Sequence, residues 1–170
     1  RTMLTDRGVS TDFAAEELDP DWLAACETLH VPAYSLAREP IRGAAAVAVA
    51  AARAAGARIS VDLSSTAVLA EGGADLRHAI AELEPDLVFA NEPEAELYGR
   101  VDATTVVVKR GALGLSVHTR AETLDHPAAE VEVVDTTGAG DALAAGFLLG
   151  GAETGLAAAA RCVGKMGAVP

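Results

Sequence analysis

The feature that most constrains the fold is a regular alternation of short β-branched runs with longer helical runs. The segments "ARISVDL" (57–63) and "DLVFA" (86–90) have the composition of buried strands, and the run 73–83 between them carries leucine and isoleucine at helical spacing. Further helices are predicted over 19–25, 40–56, 91–99, 139–150 and 152–164, and further strands over "TLHVPAY", "TTVVVKR", "LGLSVHT" and Val131–Val134. Strands separated by helices predict an α/β fold with a doubly wound, largely parallel sheet and helices on both faces.

The composition fits one globular domain spanning 1–170. Of the 170 residues, 51% are hydrophobic and 22% are charged, which is enough apolar material for one buried core. The sequence shows no internal repeat and no low-complexity linker. We therefore predict a single domain.

Charge and cysteine content exclude several classes of protein. The formal net charge of -12 disfavours a nucleic-acid partner, because the largest basic cluster is only Lys109 and Arg110. The alanine-rich run 43–52 is too short to span a membrane. Cys26 and Cys162 are isolated thiols without the spacing of a disulfide framework or a zinc site. We therefore expect a cytoplasmic protein without a membrane partner.

The stretch "EVEVVDTTGAGDALAAGFLLG" (130–150) joins a predicted strand to a predicted helix through a Gly-Ala-Gly turn. Because Gly138 and Gly140 have no Cβ, an anion can closely approach the amides of Gly138, Ala139 and Gly140. These amides begin a helix, where backbone donors lack partners and the helix dipole is positive. The turn therefore predicts an anion-binding site at the carboxyl end of a strand.

Asp141 follows this turn directly, where its carboxylate would repel the anion that the amides attract. One explanation is chemical: a general base takes a proton from a nucleophile while the adjacent amides stabilise the charge on the transferred group. The other is structural, a favourable interaction of the carboxylate with the helix dipole. Neither GxxxxGK[ST] nor a GxGxxG after a strand occurs, which excludes a P-loop and a dinucleotide fingerprint.

The segment "DTTGAGDALAAGFLLG" resembles the C-terminal signature of the PfkB family of carbohydrate kinases, which have the ribokinase-like fold. Two upstream blocks resemble the same family in order and spacing: "VFANEPEAELYG" matches its N-x-x-E segment, and "VVVKRGALGLSVHT" matches the following β-hairpin. The resemblance covers roughly residues 57 to 167. It implies a ribokinase-like domain that is incomplete at its N-terminus, a fragment without the acceptor-binding portion and the lid.

The resemblance also implies catalytic and metal-binding roles. Asp141 would be the base that deprotonates the acceptor hydroxyl, and the Gly138, Ala139 and Gly140 amides would form the anion hole for the phosphoryl group. Mg²⁺ and its waters would be organised by Asn91 and Glu94, since Mg²⁺ prefers oxygen ligands and retains water. For Asn91 an ordinary helix N-cap is an equally simple explanation.

Nucleotide contacts and a second cation site follow from the same resemblance. Lys109, Gly111 and Gly114 would contact the nucleotide, and Asp135 would mark a neighbouring site for a monovalent cation such as K⁺. Many family members have Thr at the position of Lys109. A solvated charge at the end of a strand is therefore an alternative explanation for this lysine.

The function implied by the resemblance is an ATP- and Mg²⁺-dependent kinase that transfers the γ-phosphoryl group to a hydroxyl of a sugar or sugar derivative. Two alternatives stay open: a nucleoside kinase of the adenosine or pseudouridine type, and a non-catalytic nucleotide-binding remnant of the fold. The expected partner is a small sugar or nucleoside. We expect the 170-residue chain alone to be inactive and to form a homodimer, because the strands missing from the sheet would leave apolar surface exposed.

Overall fold

The computed structural model describes residues 8–168, which contain four α-helices, six strands and five short 3-10 helices. The strands are β1 (Thr28–Pro32), β2 (Arg58–Asp62), β3 (Leu87–Asn91), β4 (Thr105–Lys109), β5 (Leu115–Thr119) and β6 (Thr123–His126). The α-helices are α1 (Ile41–Ala54), α2 (Thr66–Glu82), α3 (Glu92–Tyr98) and α4 (Ala139–Val163). The 3-10 helices are Gly8–Thr11, Ala15–Glu17, Pro20–Leu23, Ala33–Leu36 and Gly111–Leu113, so the helix predicted over 19–25 is a shorter 3-10 turn.

The strands form one sheet in the order β1-β2-β3-β4-β5-β6. β1 and β2 are parallel, with Leu29 opposite Ile59. β4, β5 and β6 form an antiparallel meander in which Val107 lies opposite Val117 and Val117 opposite Leu124. The predicted α/β fold is confirmed, as is the hairpin predicted from "VVVKRGALGLSVHT".

The chain divides into two compact units, which are described separately. The first contains the residues up to 88 together with 97–103, and the second contains 89–96 and 104–170. Every residue to which the sequence assigns a role in the site lies in the second unit. The single domain over 1–170 stays a prediction.

In the first unit, the apolar side chains of β2 and α2 form a buried core. Ile59, Val61 and Leu63 are completely buried. α2 begins earlier than the predicted residue 73, because the Ser65 hydroxyl accepts a hydrogen bond from the Ala67 amide (3.2 Å) and caps the helix. The predicted starting point instead corresponds to an interruption of the helix at Gly73.

In the second unit, α4 consists of two helical segments that fold back on each other. Gly150 and Gly151 depart from helical geometry, which confirms the two helices predicted over 139–150 and 152–164. A Cβ on Gly146 would lie 2.7 Å from the Thr154 carbonyl oxygen, so the two segments pack at backbone distance. Taken whole, α4 is long and apolar enough to cross a membrane, but the interruption leaves each segment much shorter than the roughly 20 residues that a span requires.

The strand predicted over Val131–Val134 is not present, and this prediction was wrong. These residues pair with no strand of the described chain, Val134 lies at a bend, and Val133 and Val134 are more than half exposed. Alternating valines show which side chains share a face, but a strand also needs a neighbour with free backbone groups. The edge of the meander is instead β6, a polar segment that the sequence did not predict, which pairs with β5.

Candidate functional site

The start of α4 is a helix terminus without a side-chain cap. Gly138 is its N-cap and has left-handed geometry (φ 78°, ψ -3°), which few residues other than glycine adopt. The N-cap glycine has no side chain with which to cap the helix, and the Ala139 amide donates to the Thr136 carbonyl at 3.3 Å. Of the three predicted anion-hole amides, Ala139 is therefore already engaged in the turn. Gly138 provides the bend that the sequence predicted, while the anion hole itself stays a prediction.

Lys109 lies beside this helix start. It ends β4, and its Nζ is 3.5 Å from the position that a Cβ on Gly140 would occupy. An ammonium group therefore lies next to the predicted anion hole, in a chain whose formal net charge is -12. The nucleotide contact of Lys109 stays a prediction.

Asp141 lies in the first turn of α4 and is exposed. Within residues 8–168, its carboxylate makes no hydrogen bond or ion pair. It therefore takes no part in a capping box, and its oxygens are accessible to a ligand at the helix start. The interaction with the helix dipole remains as the only structural contribution of this carboxylate.

Asp135 stabilises the loop that leads into α4. Its Oδ1 accepts a hydrogen bond from the Thr137 amide (2.9 Å), and its Oδ2 accepts one from the Gly167 amide (3.0 Å). The carboxylate thus links the loop to the turn that follows α4. The role at a monovalent-cation site stays a prediction.

The C-terminal end of α4 completes the support of this loop. The Val163 carbonyl accepts hydrogen bonds from the amides of Val134 (2.8 Å) and Asp135 (3.2 Å). The buried Cys162 thiol donates to the Thr137 carbonyl at 3.4 Å. A Cβ on Gly138 would lie 2.7 Å from the Ala168 carbonyl oxygen. The loop that carries the predicted anion site therefore packs against residues 162–168. The sequence analysis assigned these residues no role in the site, because a local pattern contains no information about contacts across about 30 residues.

Asn91 and Glu94 form a reciprocal capping box at the start of α3. The Glu94 carboxylate accepts hydrogen bonds from the Asn91 amide (2.9 Å) and from Asn91 Nδ2 (2.7 Å), and Asn91 Oδ1 accepts one from the Glu94 amide (2.9 Å). Glu94 is only 3% exposed. The N-cap explanation for Asn91 is thus confirmed, while its role toward Mg²⁺ stays a prediction.

The described acidic side chains of this unit do not form a metal-binding site by themselves. Among the described residues there is no group of three or more His, Cys, Asp or Glu side chains arranged to hold a metal ion. Both oxygens of the Glu94 carboxylate accept hydrogen bonds from Asn91. Contact of this pair with a Mg²⁺ that is held mainly by phosphate and water stays a prediction.

The two glycines of the β4–β5 turn are required for different reasons. Gly114 (φ 94°) is packed so closely that a Cβ would overlap the carbonyl oxygen of His126. Gly111 (φ 57°) has nothing within 4 Å of its Cβ position. Of the two, Gly111 is therefore the one that a ligand can approach, whereas Gly114 serves the packing of the meander.

Solved structures of similar fold include several kinases. An adenosine kinase from Sinorhizobium meliloti superposes with a TM-score of 0.87 at 26% sequence identity, covering 94% of this chain and 56% of that chain. A protein assigned as ribokinase II from E. coli, in complex with ATP and Mg²⁺, superposes with a TM-score of 0.76 at 27% identity, covering 92% of this chain and 58% of that one. The fold is therefore that of the ribokinase-like kinases.

The sequence comparisons agree with the fold. The family model of the pfkB family carbohydrate kinases matches residues 1–169, so this chain belongs to that family. A fructokinase from Klebsiella pneumoniae is 34% identical over 157 residues, which cover 83% of this chain and 50% of the fructokinase. The chain thus spans about half the length of the relatives that it matches.

Proposed function

We propose that this chain carries the nucleotide-binding and phosphoryl-transfer part of an ATP-dependent kinase that phosphorylates a hydroxyl of a sugar or sugar derivative. The observation that carries the proposal is the start of α4. A helix with a glycine N-cap, the Lys109 ammonium and an Asp141 carboxylate that makes no hydrogen bond or ion pair within residues 8–168 occur together there. Membership of the pfkB family supports the same reaction.

Each group has a definite task in this proposal. Asp141 accepts the proton of the attacking hydroxyl, as a general base within hydrogen-bond reach does. The amides of Gly138 and Gly140, with that of Ala139, stabilise the negative charge on the transferred phosphoryl group. Such positioned donors matter because phosphoryl transfer depends mainly on orientation and charge stabilisation.

The remaining predicted residues bind the nucleotide and the cations. Lys109 and Gly111 approach the phosphates, while Gly114 keeps the turn in place. Bound Mg²⁺ would neutralise phosphate charge, and the capping box of Asn91 and Glu94 would hold its water ligands. Asp135 would additionally contact a monovalent cation such as K⁺.

Two alternatives can be separated from this function. A nucleoside acceptor is supported by the adenosine kinase that shares the fold at 26% identity. A non-catalytic nucleotide-binding remnant is opposed by the accessible carboxylate of Asp141, for which nucleotide binding alone gives no reason. The expected cellular location is the cytoplasm, where ATP is available.

The proposal is tested in two stages. ATP with Mg²⁺ should raise the melting temperature of this chain, because a ligand that binds only the folded state stabilises it. ADP formation is then measured with a panel of sugars and nucleosides, using protein that also contains the acceptor-binding portion. The absence of a thermal shift with ATP would refute the nucleotide site. Release of ADP with nucleosides but not with sugars would favour the nucleoside alternative.

A further inference from the structure

Arg110 occupies a central position in the β4–β5 turn, although nothing in the sequence motifs gives it a role. It directly follows Lys109, and its backbone closes the turn: its amide donates to the Gly114 carbonyl (2.8 Å), and its carbonyl accepts from the Leu113 amide (3.1 Å). The conformation of this residue therefore determines where Gly111 lies.

The Arg110 side chain joins the turn to three other elements. Nε lies 3.3 Å from Glu92 Oε1 at the start of α3, and one terminal nitrogen lies 3.2 Å from Ser116 Oγ in β5 and 3.3 Å from Asp125 Oδ1 in β6. The Ser116 hydroxyl also donates to Asp125 at 2.5 Å, and Ser116 is 5% exposed. A planar guanidinium suits such multiple contacts, because its donors have a fixed geometry.

Burial of apolar side chains does not stabilise this turn. None of Gly111–Leu113 is buried, and Leu113 is 63% exposed. The turn is therefore fixed by its backbone hydrogen bonds, by the close packing of Gly114 against β6 and by the Arg110 contacts. Of these three, the Arg110 contacts are the only ones that tie the turn to α3, whose first residue follows Asn91 directly.

We infer that Arg110 is a positioning residue, which orients the Lys109–Gly114 turn toward the nucleotide through its contacts with Glu92 and Asp125. The inference rests on the proposed function, because the turn needs a fixed position only if it binds a ligand. Arg110 itself contacts no nucleotide in this account. Its two neighbours in sequence do, and Arg110 determines where they lie.

The experiment compares Arg110→Gln and Arg110→Lys with Arg120→Gln, a matched loss of one charge at an exposed site between β5 and β6. The affinity for Mg·ADP is measured by calorimetry well below the unfolding transition, and amide hydrogen exchange is measured at Leu113 and Gly114. We expect Arg110→Gln to weaken ADP binding about tenfold, by analogy with the loss of an outer-shell contact at a metal site, and to accelerate exchange in the turn. Arg110→Lys should be intermediate, and Arg120→Gln should match the parent.

The outcomes separate this inference from the proposed function. Unchanged ADP affinity and unchanged exchange in a folded Arg110→Gln variant would overturn the positioning role. Faster exchange with unchanged affinity would overturn it as well, because the turn would then have no influence on the nucleotide. If the parent binds no nucleotide, the proposed function fails, and the exchange data still show whether Arg110 orders the turn. A double variant with Asp125→Asn should bind ADP no more weakly than Arg110→Gln alone, since both changes remove the same contact.

Discussion

The helix starts of α3 and α4 differ in how their backbone donors are satisfied. At α3, Asn91 and Glu94 satisfy each other and the helix amides through three hydrogen bonds, and Glu94 is buried. At α4, the N-cap is a glycine without a side chain, and Asp141 in the first turn is exposed. The side chains of Asn91 and Glu94 cap the first terminus, whereas the N-cap glycine of the second has no side chain that could do so.

The comparison shows that a carboxylate in the first turn of a helix can have two different roles. Glu94 is the third residue of α3 and serves the helix itself, because its oxygens reach back to Asn91. Asp141 is the third residue of α4 and has no such partner within residues 8–168. The residue before each helix decides between the roles, since an N-cap asparagine completes a capping box and a glycine cannot.

Replacing the Asp141 carboxylate should have the largest effect. Asp141→Asn keeps the size of the side chain but removes the base, so kcat should fall by about 10²- to 10⁴-fold, or roughly 3 to 5 kcal/mol of barrier. Nucleotide affinity should stay equal or improve, because a negative charge leaves the phosphate site. Because the 170-residue chain alone is expected to be inactive, both proteins are prepared with the acceptor-binding portion included, and they are compared by steady-state kinetics, ATP titration and melting temperature. A kcat within a few-fold of that of the parent would mean that Asp141 is not the base and only interacts with the helix dipole.

The glycine that bends the chain into α4 should be next in effect. Gly138→Ala places a Cβ 2.7 Å from the Ala168 carbonyl oxygen and forces alanine into a left-handed conformation. We expect a loss of about 2 kcal/mol or more in the free energy of unfolding, since the backbone alone costs about 1 to 2 kcal/mol. Urea denaturation measures this quantity. A variant as stable as the parent would contradict the close packing of the loop against Ala168.

A substitution in the capping box at the start of α3 should mainly lower the stability of the fold. Glu94→Gln replaces one of two acceptors in the capping box, so we expect a loss of about 1 kcal/mol in the free energy of unfolding. This expectation differs from that for a surface glutamate, because Glu94 is only 3% exposed. Glu96→Gln, on the exposed part of the same helix, is the matched control. Both variants are also titrated with Mg²⁺ in the presence of ADP, and an Mg²⁺ dependence equal to that of the parent would leave Glu94 with a capping role alone.

The second glycine of the α4 turn should have the smallest effect on stability. Gly140 is helical, and an added Cβ would make only an ordinary contact, 3.5 Å from Lys109 Nζ. Gly140→Ala should therefore change the free energy of unfolding by no more than about 1 kcal/mol, and in the stabilising direction. ADP affinity should nevertheless fall, because the methyl group occupies space beside the anion site. Parent-like ADP binding in this variant would place the anion away from Gly140.

Several parts of the site could be predicted from the sequence. The Gly-Ala-Gly turn, the following helix and the hairpin around Gly111 and Gly114 were predicted because each depends on residues close together in the chain. Glycine at a bend and a carboxylate in a first helical turn are local signals with a direct physical meaning. The α/β class follows for the same reason, since alternating runs of strand and helix formers are visible in the sequence itself.

Only the tertiary structure showed which groups meet across the chain. It placed Lys109 beside Gly140, Gly167 on the Asp135 carboxylate and the Cys162 thiol on the Thr137 carbonyl, contacts between residues about 25 to 32 positions apart. It also replaced the strand expected from the valines of 131–134 with the polar β6, whose Asp125 is held by Ser116 and Arg110. A strand or a supporting contact depends on the partner that packing provides, and the spacing of residues in one segment carries no information about that partner.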